Sequence, residues 1–162
     1  MRRDQSILVE GVLRDFPRIN KDRLNWELWL EALAISPGGM GDRVDGGEFT
    51  PVQERFVKAM DGKYVKKLQR IVSIVYDDYK ELSEPERRVI ALSCFDDIDL
   101  YGVGAELDIT YRSVQRLKAS AYEKMKRACM AVISDVDDWR TMEHNELKKQ
   151  IGLLKDTIKS YQ

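Results

Sequence analysis

The stretch Ser83-Glu84-Pro85-Glu86-Arg87-Arg88-Val89-Ile90-Ala91-Leu92, followed after an acidic break by Leu100-Tyr101-Gly102-Val103-Gly104-Ala105-Glu106-Leu107-Asp108-Ile109-Thr110, decides how this chain folds. Ser83 and Glu86 stand at capping-box spacing, serine reaching the third amide and glutamate reaching back, and two acids sit at the positive end of the helix they begin. Val89, Ile90 and Leu92 give that helix an apolar side. After Asp96-Asp97-Ile98-Asp99 comes a short apolar segment from Leu100 to Leu107, and Thr110 can then cap another helix. Val114, Leu117, Ala121 and Met125 lie on one side of it, so Tyr111, Arg112, Ser113, Gln115 and Arg116 project from its first turns on the other. The spacing predicts helix, tight turn, exposed basic helix. Gly104 fits as the small residue that lets the two helices approach, with Ile109 plugging the space between them.

The same helical spacing extends outward in both directions. Toward the N-terminus, Val9, Val12, Leu13 and Phe16 fall at i, i+3, i+4 and i+7, and Pro17 is expected to end that helix. A second begins near Asn20 and carries Trp26, Trp29, Leu30 and Leu33. Five of the ten glycines (Gly38, Gly39, Gly41, Gly46 and Gly47) then mark a linker. Gly39-Met40-Gly41 is no phosphate cradle, because no Lys-Ser/Thr pair follows it and no strand precedes it. Thr50-Pro51-Val52-Gln53 has the form of a helix start running to about Asp61-Gly62. Val65, Leu68, Val72, Val75 and Tyr79 make a further stripe, whose outer face with Lys63, Lys66, Lys67 and Arg70 reads as a solvated surface. Toward the C-terminus, Asp135, Asp137 and Asp138 read as a turn and cap before a last helix from about Trp139 to Ser160. There Leu147, Ile151, Leu154 and Ile158 are spaced by four, three and four. That stripe suits either a homo-oligomer seam or packing back on its own domain.

No segment alternates apolar and polar residues as a half-buried strand would, so the expected fold is all-α. We expect a helical bundle containing a helix-turn-helix, with N-terminal helices and a C-terminal amphipathic helix. Its divisions are a helical segment over 1–35, a Gly-rich linker over 36–49, a helical core over 50–135 and the C-terminal helix over 136–162.

Composition excludes several classes. With 162 residues and 43% hydrophobic residues the chain can bury one core, and its 27 basic residues nearly cancel 28 acidic ones, which rules out a histone-like polycation. No apolar run approaches the roughly 20 residues of a membrane span, and Met1-Arg2-Arg3-Asp4-Gln5 lacks the apolar stretch of a signal peptide; a cytoplasmic protein is expected. Cys94, Cys129 and the single His144 supply no closed zinc site, and no His-based catalytic triad is complete unless His144 is its base, so no cofactor and no enzyme activity are expected. The cysteines read as core. Asp97 to Asp108 sketches a calcium loop, but Tyr101 and Asp108 occupy two of its ligand places with the wrong groups.

Against this neutral background the basic excess is local. Between Tyr111 and Arg127 stand Arg112, Arg116, Lys118, Lys124, Lys126 and Arg127 against one acid, Glu123. A helix that enters a major groove by its N-terminal end offers forked donors and acceptors to base edges, and Arg and Gln supply them. The candidate DNA-binding residues are therefore Thr110, Tyr111, Arg112, Ser113, Gln115, Arg116, Lys118, Lys124 and Lys126, of which Lys124 and Lys126 lie beyond the base-reading turns and fall to phosphates.

Residues 82–92, Val103 to Thr110, Val114-Gln115-Arg116-Leu117 and Ala121-Tyr122-Glu123-Lys124-Met125 together resemble the C-terminal promoter-binding region of bacterial sigma factors. Asp108 stands where that family usually has glycine, and nothing in residues 1–80 resembles the segment that melts promoters. The resemblance is thus to one region and not to a complete sigma factor. The wider order, Leu13-Arg14-Asp15-Phe16-Pro17, a glycine-rich linker, Val52-Gln53-Glu54-Arg55 and then the sigma-like module, resembles phage late-gene transcription activators of the RinA and ArpU type. That resemblance implies a phage or prophage activator binding double-stranded DNA and acting with host RNA polymerase in the bacterial cytoplasm. Two other readings stay open: a phage small terminase subunit recognising packaging DNA, and a helical protein-interaction scaffold.

Overall fold

A computed structural model describes residues 2–35 and 63–161, and among them every regular element is helical. The chain is an all-α bundle. Helix α1 spans Arg3–Ile35, α2 Lys63–Lys80, α3 Glu84–Ile90, α4 Leu100–Leu107 and α5 Tyr111–Ser160; a π-helical turn, Ala91–Phe95, extends α3. The Gly-rich linker and the helix expected from Thr50 lie outside the described residues, as do the side chains of Trp29, Leu30 and Leu33.

Two expected breaks are absent. Pro17 lies inside a single continuous α1 and does not end it. An interior proline costs about 3 kcal/mol of helix stability, but burial on both sides of it opposes that cost. Val9, Val12 and Leu13 precede Pro17, Ile19 follows it, and all four are fully buried in one core, a gain of roughly 1.5–3 kcal/mol for each large side chain. The break expected at Asp135, Asp137 and Asp138 is also missing, for α5 passes through it as one 50-residue helix. These carboxylates are held by cations instead: Asp135 by Arg70 at 3.3 Å, Asp138 by Lys67 at 2.7 Å and Asp137 by Arg140 at 3.1 Å. The boundary expected at 135/136 therefore has no counterpart in the backbone. Lys67 and Arg70 of the solvated face of α2 serve this purpose.

The core has two parts. The larger joins the apolar sides of α1 and α2 to the middle of α5, with Leu68, Ile71 and Val75 meeting Met125, Cys129, Val132, Val136 and Trp139. Trp139 is 1% exposed, yet its indole N–H is satisfied by donating to Asp22 at 2.8 Å. Both cysteines are buried and free. Burial first, then the negative charge of Asp78, pushes the Cys129 thiol up to about 12, so it stays protonated and inert. The smaller part is built from Val89, Val103 and Val114, packed round by Leu92, Ile98, Leu100, Leu107, Ile109 and Leu117. It fastens α3, α4 and the first turns of α5 to one another.

Candidate nucleic-acid interface

Each turn of this smaller unit follows from a local signal. Ser83 caps α3 as its spacing predicts: the Glu86 amide donates to Ser83 Oγ at 3.4 Å and the Ser83 amide to Glu86 Oε1 at 3.0 Å. The π-helical turn then brings Phe95 onto Phe16, ring centres 5.7 Å apart, and so ties the unit to α1. Asp99 caps α4, accepting from the Gly102 amide at 2.7 Å. A left-handed residue ends α4, Asp108 at φ 55 and ψ 48, after which the Ile109 amide donates back to the Gly104 carbonyl at 3.0 Å. Thr110 opens α5 by accepting from the Ser113 amide at 3.1 Å.

Gly104 and Ile109 do what their positions suggest. A Cβ on Gly104 would stand 2.9 Å from the Ile109 carbonyl oxygen and 3.5 Å from Val114 Cγ2, so only glycine allows α4 and α5 this approach. Ile109 packs on the small core between the helices. The result is helix, three-residue turn, helix, with the second helix starting at the surface.

The nine candidate residues divide into three groups, with Lys126 apart from them. Arg112, Gln115 and Arg116 are exposed on the first two turns of α5, opposite buried Val114. Thr110, Tyr111 and Ser113 shape the helix start: Thr110 and Ser113 are bonded to each other, and Tyr111 stacks on Tyr101 of α4 with ring centres 4.3 Å apart. Lys118 and Lys124 pair with acids of the protein itself, Lys118 half-buried and Lys124 at the surface. Lys118 pairs with Glu10 of α1 at 3.2 Å and lies over the Tyr122 ring, while Lys124 pairs with Glu86 at 2.8 Å. Lys126 is half-buried one turn beyond Tyr122.

Glu86 is 2% exposed and joins the cap of α3 to α5. It accepts from Ser83 Oγ at 2.7 Å, Ser120 Oγ at 2.7 Å and Lys124 Nζ at 2.8 Å. Burial pushes its carboxyl up, but the bonds from Lys124, Ser120 and Ser83 together outweigh that and hold it at about 2. The carboxylate is ionised and fully engaged. It thereby bonds the cap of α3 to Ser120 and Lys124 of α5.

Two features escaped the sequence. Tyr101 is 73% exposed and stacked on Tyr111, forming an aromatic ledge beside Arg112 that only the α4–α5 turn brings together. The first turns of α1 also run alongside α5, where Arg3, Ser6 and Ile7 face Gln115 and Lys118 across an open groove of about 300 Å³. Arg3 adds a cation to this face from the opposite end of the sequence. The α4 and loop side is more acidic, with Asp96, Asp97, Asp99 and Glu106 exposed, although Arg14 pairs with Asp97.

Among the described residues no group of His, Cys, Asp and Glu could hold a metal ion, and no helix is long and apolar enough to cross a membrane. Compared with known protein families, with curated proteins and with solved structures, the chain matches none.

Proposed function

We propose that this chain is a sequence-specific DNA-binding transcriptional regulator, a phage or prophage late-gene activator that acts with host RNA polymerase in the bacterial cytoplasm. It works by binding and not by catalysis. One observation carries the reading: Arg112, Gln115 and Arg116 are solvent-exposed on the opening turns of a helix whose start is rigidly set by Thr110, Gly104 and a small core of its own. Reading a duplex demands this arrangement, because a side chain discriminates bases only if its helix is held in one orientation while the forked groups remain free of internal partners.

In this reading Arg112 and Arg116 meet guanine edges or adjacent phosphates, and Gln115 reads adenine. Tyr101, Tyr111 and Arg3 lie at the flanks, where a duplex backbone passes. Lys118 and Lys124 orient the helix through Glu10 and Glu86 and make no direct contact. The partition is testable by fluorescence anisotropy on duplexes selected from phage and bacterial DNA. Arg112→Ala and Arg116→Ala should each weaken binding to the selected site by roughly 1–3 kcal/mol with unchanged melting temperature. Equal binding by wild type and both variants would remove this helix from the groove.

A further inference from the structure

The far end of α5 carries an apolar stripe that nothing in the described fold covers. Trp139 is the last of the described side chains of α5 that is buried, and Glu143 still pairs with Arg18 of α1 at 2.6 Å. Beyond it every described residue from 144 to 160 is exposed except Gly152, although the stretch remains helical. Ile151, Leu154, Ile158 and Tyr161 lie on this part and are 44% to 86% exposed. A helix of some 17 residues reaching about 25 Å into water with its apolar side bare is not stable by propensity alone.

The pattern of that side identifies its cover. Spacings of four, three, four and three place Leu147, Leu154 and Tyr161 at d and Ile151 and Ile158 at a of a heptad repeat. β-Branched residues at a with leucine at d favour two parallel strands over higher assemblies. Charge agrees with that orientation. Glu143 takes a g position and Lys148 and Lys155 take e positions, so parallel helices set Glu143 against Lys148 of a second copy and Gln150 against Lys155. Antiparallel helices would instead set lysine against lysine. Leu153 falls at c, outside the seam.

From these observations we infer that a second copy of this chain covers the stripe, the two α5 helices pairing as a short parallel coiled coil over residues 143–161. The two-fold axis then runs along the coiled coil, and the two copies of Tyr111 to Arg116 emerge from its open end related by that axis. This last consequence rests on the DNA-binding reading: a symmetric pair of groove-entering helices calls for an inverted-repeat site. The dimer itself needs no DNA.

The test uses the full chain. Ile151→Cys and Leu154→Cys are made separately, with the buried Cys94 and Cys129 giving little background. In parallel helices residue 151 meets residue 151, so mild oxidation should link most of the I151C protein into a species of twice 18.8 kDa on a non-reducing gel. In an antiparallel pair a positions meet d positions, so neither single variant would link to itself while an equimolar mixture of I151C and L154C would, which overturns the orientation. Light scattering at about 50 µM, a concentration well above a micromolar dissociation constant, should show a dimer that I151E/L154E converts to a monomer with unchanged helical circular dichroism. A monomeric wild type, or a ring of many subunits, overturns the dimer. A linked I151C dimer that selects only single half-sites leaves the dimer standing and overturns the inverted-repeat arrangement, whereas a dimer that binds no duplex overturns the functional reading alone.

Discussion

Asp108 sits in left-handed backbone, φ 55 and ψ 48, at the residue that ends α4. A side chain there costs roughly 1 kcal/mol, which aspartate tolerates better than most residues and glycine avoids. Asp108→Gly should therefore raise stability by about 0.5–1 kcal/mol, read from urea unfolding, after the extra entropy of the unfolded glycine is counted. Gly104→Ala should act oppositely. Its methyl gains up to about 1 kcal/mol of helix propensity but collides with backbone, and an overpacked contact of this kind costs about 1–3 kcal/mol. Glu86 makes stability depend on pH. Its folded value of about 2 lies below the ordinary carboxylate value of 4.5, so its contribution is fully present above about pH 4.5 and is lost as pH falls through 2. Glu86→Gln should cost about 1–3 kcal/mol at neutral pH, and the gap to wild type should close between pH 4.5 and 2 in acid-unfolding curves.

At the scale of elements, what could be read from the chain is what local physics encodes. Capping at Ser83 and Thr110, the apolar periods, and the need for a small residue at 104 are properties of residues three or four apart, and the structure has them where the spacing places them. The continuity of α1 through Pro17 and of α5 through Asp135 to Asp138 is not encoded locally, because it depends on distant partners. Lys67 and Arg70 lie more than 60 residues from the aspartates they neutralise, and Pro17 is carried by a core assembled from α1, α2 and α5. Of the candidate site, the exposed trio was legible from helical phase. The engagement of Lys118 by Glu10 and of Lys124 by Glu86 was not, because a lysine's reach is decided by tertiary neighbours. Since Pro17 leaves an interior carbonyl without its helical donor, Pro17→Ala should stabilise the bundle by roughly 1–3 kcal/mol in thermal unfolding, up to the full helix cost of proline. A loss of stability would mean that the core requires a bend at this point.

For the whole molecule, the proposed DNA binding makes a prediction about salt, in which the internal pairing of Lys118 and Lys124 takes two cations out of the count. If Arg112, Arg116 and their flanking cations neutralise two to four phosphates in each copy, log K against log salt should have a slope of roughly −2 to −4 per copy, at about −0.9 for each phosphate. Arg3→Ala should lower that slope by about 1 without changing base preference, as expected of a contact to the backbone alone. α5 has a further consequence, because one unbroken helix of 50 residues both starts beside Arg112 and ends at the stripe of Ile151 and Ile158. Its two ends are geared together. One residue inserted between His144 and Asn145 would turn them by about 100° relative to each other, leaving the core and the apolar seam from Leu147 onward intact, while seven inserted residues would restore the phase to within about 20° and add about 10 Å of length. Binding to a two-fold site should thus fall with the first insertion and recover in part with the seventh, a periodicity that a flexible joint between the same two ends would not produce.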